Sequence, residues 1–251
     1  MTDFLVTGTD TGVGKTVIAA ALVKALRERG VRALGFKPVE TGVDGVQPAD
    51  SSVLQRASGE STPLATPLAQ LAEPLAPAVA AERAGTPLHA EEIEKRIERL
   101  RRDGYTLVVE GAGGLLVPLA WEDGVGQKRV PGTLFPVSPE EGSRNPFPYF
   151  SVLDLAARCG LEAVVVARAG LGTLNHVALT VAVLRDRAIP IKAVVLNGGQ
   201  PWPPAALAEA TNPDALTRML AGARIIYVPH HETADAIDET VSYLRSLLEI
   251  R

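Results

Sequence analysis

The sequence predicts an α/β protein: one parallel sheet with helices packed on both of its faces. Three observations carry that expectation. Six short apolar runs punctuate the chain: Phe4-Leu5-Val6, Val31 to Phe36, Tyr105 to Val109, Leu161 to Ala167, Ile191 to Leu196 and Ala223 to Val228. They are continuously apolar rather than alternating, which marks strands buried on both faces. Helical stretches separate them and no hairpin turn signal joins neighbouring runs, so the order reads as repeated βαβ units. The 251 residues are 46% hydrophobic, enough for a sizeable core in one domain spanning 1–251.

The first unit is the most informative. Phe4-Leu5-Val6 runs into Gly8-Thr9-Asp10-Thr11-Gly12-Val13-Gly14-Lys15-Thr16, and a helix rich in Ala and Leu follows from Val17 to Arg29. A strand, a Gly-rich turn ending in Gly-Lys-Thr and a helix form the setting of a phosphate-binding loop. Backbone N–H groups and the helix N-terminus face an anion there, and glycine lets the backbone approach it. Lys15 reaches β- and γ-phosphate oxygens, and Thr16 offers a hydroxyl to Mg²⁺. The first glycine stands at position 8, one place before the Walker A spacing, so the loop is a variant. The expectation is a P-loop NTPase-like domain binding a nucleotide with Mg²⁺. Gly12, Val13, Gly14, Lys15, Thr16 and Val17 form its cradle.

Further along, Gly30 stops the first helix and Val31 to Phe36 forms a strand ending at Lys37-Pro38-Val39-Glu40-Thr41-Gly42. Ligands of open parallel sheets bind beyond the carboxyl ends of strands, which is where Lys37 stands. Lys37 is therefore either a solvated cation or one aimed at a transferring phosphoryl group. Asp50 opens the next helix, as a cap or as a carboxylate for Mg²⁺. Prolines between 61 and 90 forbid a long helix and predict a wrap or lid. Glu91 to Arg102 is an amphipathic surface helix with Ile93, Ile97 and Leu100 on its apolar stripe.

The strand Tyr105 to Val109 ends in Glu110-Gly111-Ala112-Gly113-Gly114. An acid there suits a Walker B-like role, and the glycines permit close backbone approach. Residues 121–149 lack periodicity and read as an extended loop insertion. A short helix, Val152 to Cys159, precedes the strand Leu161 to Ala167. Gly170-Leu171-Gly172-Thr173 then opens a helix carrying Asn175 and His176, whose N-terminal amides fit a carboxylate. His176 receives no role. Asn197 ends the next strand, either as a turn residue or facing an adenine edge. His230 and His231 lack the further ligands that a zinc site needs. A last helix is expected from Thr233 to Leu248.

Composition narrows the field. A net charge of −4 without a basic run argues against nucleic acid as the main partner. No stretch approaches the roughly 18 apolar residues of a membrane span. The beginning of the chain shows no secretory pattern, and the single Cys159 fits a reducing cytoplasm.

Taken together, Gly8 to Thr16, Lys37-Pro38-Val39 with Thr41-Gly42, Val109 to Gly114 and Gly170 to His176 resemble the dethiobiotin synthetase family, in order and spacing from end to end. The resemblance implies ATP- and Mg²⁺-dependent closure of the ureido ring of dethiobiotin from diaminopelargonic acid and CO₂, in a cytoplasmic homodimer with sites at the subunit interface. It implies that Lys15, Lys37 and Thr11 act in catalysis, and that Thr16, Asp50 and Glu110 serve the metal. Gly111, Ala112 and Gly113 would lie by the nucleotide, with Asn197, Val228, Pro229 and His230 around adenine. Thr41 would line the diamine site, and Gly170, Leu171, Gly172 and Asn175 of the second subunit would receive the substrate carboxylate. Two departures stand out: Gly12 where many members carry Glu, and Ala76-Pro77-Ala78 where the family reads Ser-Pro-His. Of the alternatives, a partitioning-type ATPase switch would carry a signature Lys where this chain has Asp10. An amidotransferase-type synthase would need a Cys-bearing glutaminase domain.

Overall fold

A computed structural model describes residues 2–45, 49–59, 62–122, 148–198, 203–230 and 235–245, without the side chains of 64 and 203–206. In chain order the elements are β1 (Phe4–Gly8), α1 (Lys15–Glu28), β2 (Ala33–Phe36), β3 (Val39–Thr41), α2 (Asp50–Ser58), β4 (Ala69–Leu71), α3 (Pro77–Ala84) and α4 (Ala90–Arg102). They continue with β5 (Thr106–Gly114), β6 (Pro118–Trp121), β7 (Tyr149–Ser151), α5 (Val152–Cys159), β8 (Glu162–Arg168), α6 (Thr173–Asp186), β9 (Ile191–Asn197), α7 (Pro203–Met219), β10 (Ile225–Val228) and α8 (Ala236–Arg245).

Six strands form the central sheet in the order β10-β9-β8-β1-β5-β2, and every neighbouring pair is parallel. The chain leaves β1 toward β2 on one side and later returns to β8 on the other. That reversal of winding beside β1 places a crevice at its carboxyl end.

Continuously apolar strands bury both of their faces, as their composition requires. Phe4, Val6, Val108, Val164, Val166 and Val195 point toward α1, α2 and α8. Leu5, Leu107, Val109, Val165 and Leu196 point the other way, into a layer made by α4, α5, α6 and α7. Ile93, Ile97 and Leu100 of α4 are fully buried on that side, at the spacing read from sequence. Each such side chain contributes about 1.5–3 kcal/mol of burial. Ser151 caps α5 through a reciprocal capping box with Asp154.

The structure corrects several expectations. Glu110 does not end its strand: β5 runs on to Gly114, because register with β1 pairs Val6 with Glu110 and Gly8 with Gly114. The stretch after Lys37 is a strand as well, with β3 parallel to β4. The absence of hairpin signals did not exclude antiparallel pairing, since β6 and β7 form an antiparallel ladder. The long interval between those two strands hides that pairing from any short-turn rule. The proline-rich stretch holds no long helix, in accord with its composition, but it does hold β4 and the eight-residue α3. Most of the loop insertion expected over 121–149 lies outside the described residues, as does His231. Among the described residues, no helix is long and apolar enough to cross a membrane.

Candidate active site

The first turn of α1 explains why an anion belongs here. Its N-cap is Gly14, at φ 93° in the left-handed region, and no side chain caps the helix. The opening N–H groups of α1 therefore face outward without a side-chain acceptor, and the positive end of the helix dipole points with them. A Cβ at Gly14 would come within 2.2 Å of Asn197 Nδ2. Asn197 in turn donates from that nitrogen to the carbonyl of Val13 at 3.1 Å, tying the loop to the end of β9.

A cavity of about 580 Å³ opens at this helix end, a size usual for small-molecule sites. Thr11, Gly12, Gly14, Lys15, Thr16 and Val17 line it from the loop; Lys37, Thr41, Asp50, Glu110, Ala112 and Gly113 line it from elsewhere. Residues separated by most of the first half of the chain thus share one wall, because β1, β5 and β2 are adjacent in the sheet.

Charge is concentrated inside. The Lys37 ammonium donates to Glu110 Oε1 at 2.8 Å and to Asp50 Oδ2. Thr16 Oγ1 donates to the same Glu110 oxygen at 3.0 Å. Lys15 donates to the carbonyl of Asp10 at 2.9 Å. Burial alone pulls the Lys37 pKa down, but the Glu110 and Asp50 carboxylates more than offset it, so Lys37 is held above its ordinary value. Lys15 goes the other way: burial dominates and its pKa is lowered. Burial also pushes Glu110 up, against the opposing pull of Lys37. Lys37 is a fixed, desolvated cation, which is what a developing negative charge would require.

Glu110 Oε2 is fully buried and has no hydrogen-bond partner. With Thr16 and Asp50 it makes a donor set of oxygens alone, which suits a hard cation such as Mg²⁺ completed by phosphate oxygens and water. Among the described residues, no cluster of three His, Cys, Asp or Glu could hold a metal by itself.

Other residues fall outside this cavity. Val13 is buried under the loop. Gly111, expected beside the nucleotide, is not among the residues lining the cavity, and a Cβ there would meet Val152 Cγ1 at 2.8 Å. Strand alternation places it opposite Glu110 and Ala112. Asn197 lies behind the loop, next to Val228, Pro229 and His230, because Gly198 N–H donates to the Val228 carbonyl at 2.7 Å. Gly170, Leu171, Gly172 and Asn175 line no part of the cavity, and Leu171 is 95% exposed. Asn212, buried on α7, donates to the carbonyls of Ala169 (2.6 Å) and Gly170 (3.0 Å) and so fixes this turn.

Two further groups shape the site. Pro74, Leu75, Ala76 and Pro77 line the cavity as a strap, held by Gly42 N–H donating to the Glu73 carbonyl at 3.2 Å. Glu40 is buried beside Ser51 and Gln70. The prolines between 61 and 90 are expected to form a wrap or a lid over a site, and this part of them lies along the cavity.

A parallel sheet with a glycine-capped helix at its switch point, and with lysines and carboxylates gathered there, defines a P-loop nucleotide-binding protein. The sequence model of a family described as an AAA domain matches residues 2–125 and 143–237. An ATP-dependent dethiobiotin synthetase BioD of Anaeromyxobacter dehalogenans (strain 2CP-C) is 42% identical over 78% of this chain and 77% of its own length. Its namesake from Mycobacterium marinum is 38% identical over 87% of this chain and 84% of its own. The chain belongs to the ATP-dependent dethiobiotin synthetase family. A solved MinC:MinD cell division complex of Aquifex aeolicus aligns over 97% of this chain and 88% of that one, at 13% identity and a TM-score of 0.47.

Proposed function

We propose that this chain closes the ureido ring of dethiobiotin, joining diaminopelargonic acid and CO₂ at the expense of ATP. The observation that carries the reading is the convergence of Lys15, Lys37, Glu110 and the uncapped start of α1 on one cavity, in a member of this family. The α1 amides and Lys15 hold the phosphates. Lys37, desolvated and cationic, faces the transferring group. One amine of the substrate takes up CO₂ as a carbamate, and a carbamate oxygen attacks the γ-phosphorus, releasing ADP. The second amine then attacks the carbamate carbon and expels phosphate, closing the ring. The protein has little covalent work in such transfers; position and fixed charge supply the rate. Thr16, Asp50 and Glu110 would hold Mg²⁺, which neutralises phosphate charge when bound.

The remaining assignments extend this reading. Thr11 and Thr41 line the diamine end of the cavity. Asn197 and Val228 to His230 flank adenine. The turn Gly170 to Asn175 faces out of its own subunit, which fits a homodimer in which a second copy's α6 receives the substrate carboxylate. A biosynthetic enzyme of this kind would work in the cytoplasm.

The experiment is phosphate release from ATP, measured with and without diaminopelargonate and bicarbonate. Release that depends on the diamine is expected; equal release without it would refute the synthetase reading. Lys37→Ala should lower turnover by about 10²–10³ with ATP binding largely kept, and near-normal turnover would remove Lys37 from its role.

A further inference from the structure

Glu40 stands on β3, three residues after Lys37, and is 3% exposed. A carboxylate in such a place is costly unless its oxygens are hydrogen-bonded. Both are. Oε1 accepts from the Ser51 backbone N–H at 3.1 Å, and Oε2 accepts from the Ser51 hydroxyl at 2.8 Å and from Gln70 Nε2 at 2.9 Å.

The arrangement meets a need local to α2. A helix begins with N–H groups that have no partner inside the helix. The N-cap position of α2 is Ala49, which has no side-chain acceptor to offer. Glu40 supplies the acceptor from another strand, and its negative charge also suits the positive end of the helix dipole. The residue beside Ser51 is Asp50, which meets the Lys37 ammonium. Gln70, the register partner of Glu40 on β4, stands just ahead of the strap that lines the cavity.

We infer that Glu40 is a positioning residue: it caps α2 from β3 and so sets Asp50, and through Asp50 the direction of the Lys37 ammonium. The inference rests on the synthetase reading of the cavity. Glu40 touches neither nucleotide nor substrate in this account. Its contribution is the aim of a cation, and misplacement of a reacting group by about 1 Å can cost a hundredfold. If Glu40 only stabilised the fold, replacing it would lower the melting temperature without changing turnover in the cold.

The test is Glu40→Gln in the full chain, an isosteric change that leaves Ser51 N–H an acceptor but removes the negative charge at the start of α2 and puts an amide N–H₂ where an oxygen accepted from the Ser51 hydroxyl. The expected result, measured well below the melting temperature, is a fall in kcat of about tenfold with the ATP KM within about threefold. In an Asp50→Asn background the same change should cost less than about threefold, because residues acting through one another are not additive. Unchanged kcat, or the full loss persisting beside Asp50→Asn, overturns the inference. If Glu40→Gln yields no folded protein by circular dichroism, Ser51→Ala carries the test, since it deletes the hydroxyl bond and keeps the N–H bond. It should lower kcat about threefold, and the loss should vanish beside Asp50→Asn; unchanged kcat in Ser51→Ala alone, or a loss that persists beside Asp50→Asn, overturns the inference too. Lys37→Ala separates the two readings. If Lys37→Ala turns over normally, the function proposed for the cavity falls. If Lys37→Ala is crippled and the Glu40 and Ser51 variants are normal, only the positioning role falls.

Discussion

Two helices of this protein begin in the same way and meet different surroundings. α1 and α6 are each 14 residues long, each follows a central strand through a Gly-rich turn, and each has a left-handed glycine at its N-cap with no side-chain cap. Gly14 stands at φ 93° and Gly172 at φ 89°. Around α1 the chain supplies Lys15, Lys37, Asp50 and Glu110, and Asn197 pins the loop from behind. Around α6 the turn is open among the described residues: a Cβ at Gly170 or Gly172 would meet none of them within 4 Å. An uncapped helix start is therefore only the capacity to bind an anion. What makes a site is the convergence of other strand ends, which α1 has and α6, among the described residues, does not.

The comparison can be broken at the two glycines. Gly14→Ala should be the most damaging, because it adds left-handed strain of about 1–2 kcal/mol and drives a methyl into the Asn197 amide. Loss of the Asn197–Val13 bond should loosen the phosphate loop and reduce turnover by about 10². ATP-dependent turnover close to that of the unchanged protein would show that the loop tolerates the displacement. Gly172→Ala carries the same backbone strain but meets open space. It should lower thermal stability by about 1–2 kcal/mol and leave ATP binding unchanged, as isothermal titration would measure. Its effect on turnover should appear as a raised KM for the diamine alone, and a changed ATP affinity would contradict the division between the two helix ends.

The smallest effect lies far from both. Burial pushes the Cys159 thiol from an ordinary 9.0 to about 11. The folded protein thus keeps this proton at a pH where the unfolded chain loses it, so the contribution is intact below pH 9 and is lost as pH rises toward 11. Relative to Cys159→Ala, unfolding free energy should fall by about 1 kcal/mol across that window. Parallel pH profiles for the two proteins would contradict it.

Some of this was legible in the sequence and some was not, for reasons that particular residues make plain. The loop from Gly8 to Thr16 could be read because all its parts are local: strand, glycines, lysine and helix follow one another in the chain. Lys37 could be placed at a strand end for the same reason. Glu110 was assigned to the right cavity but to the wrong part of its strand, since how far β5 extends depends on its register with β1. The same register turns the Cα of Gly111 inward between two residues that face the cavity. Glu40 escaped notice because nothing near it in sequence needs an acceptor. Its partners, Ser51 and Gln70, arrive from α2 and β4.

The sequence by itself determined the βαβ alternation, the buried character of the strands and the chemistry available at their ends, because strand and helix periods and glycine turns act over a few residues. Tertiary structure alone decided which strand ends share a cavity, which of two matching helix starts is surrounded by charge, and how Lys37 is aimed. Those outcomes depend on strand order and register, which are settled by contacts between residues such as Thr16 and Glu110 that lie 94 positions apart.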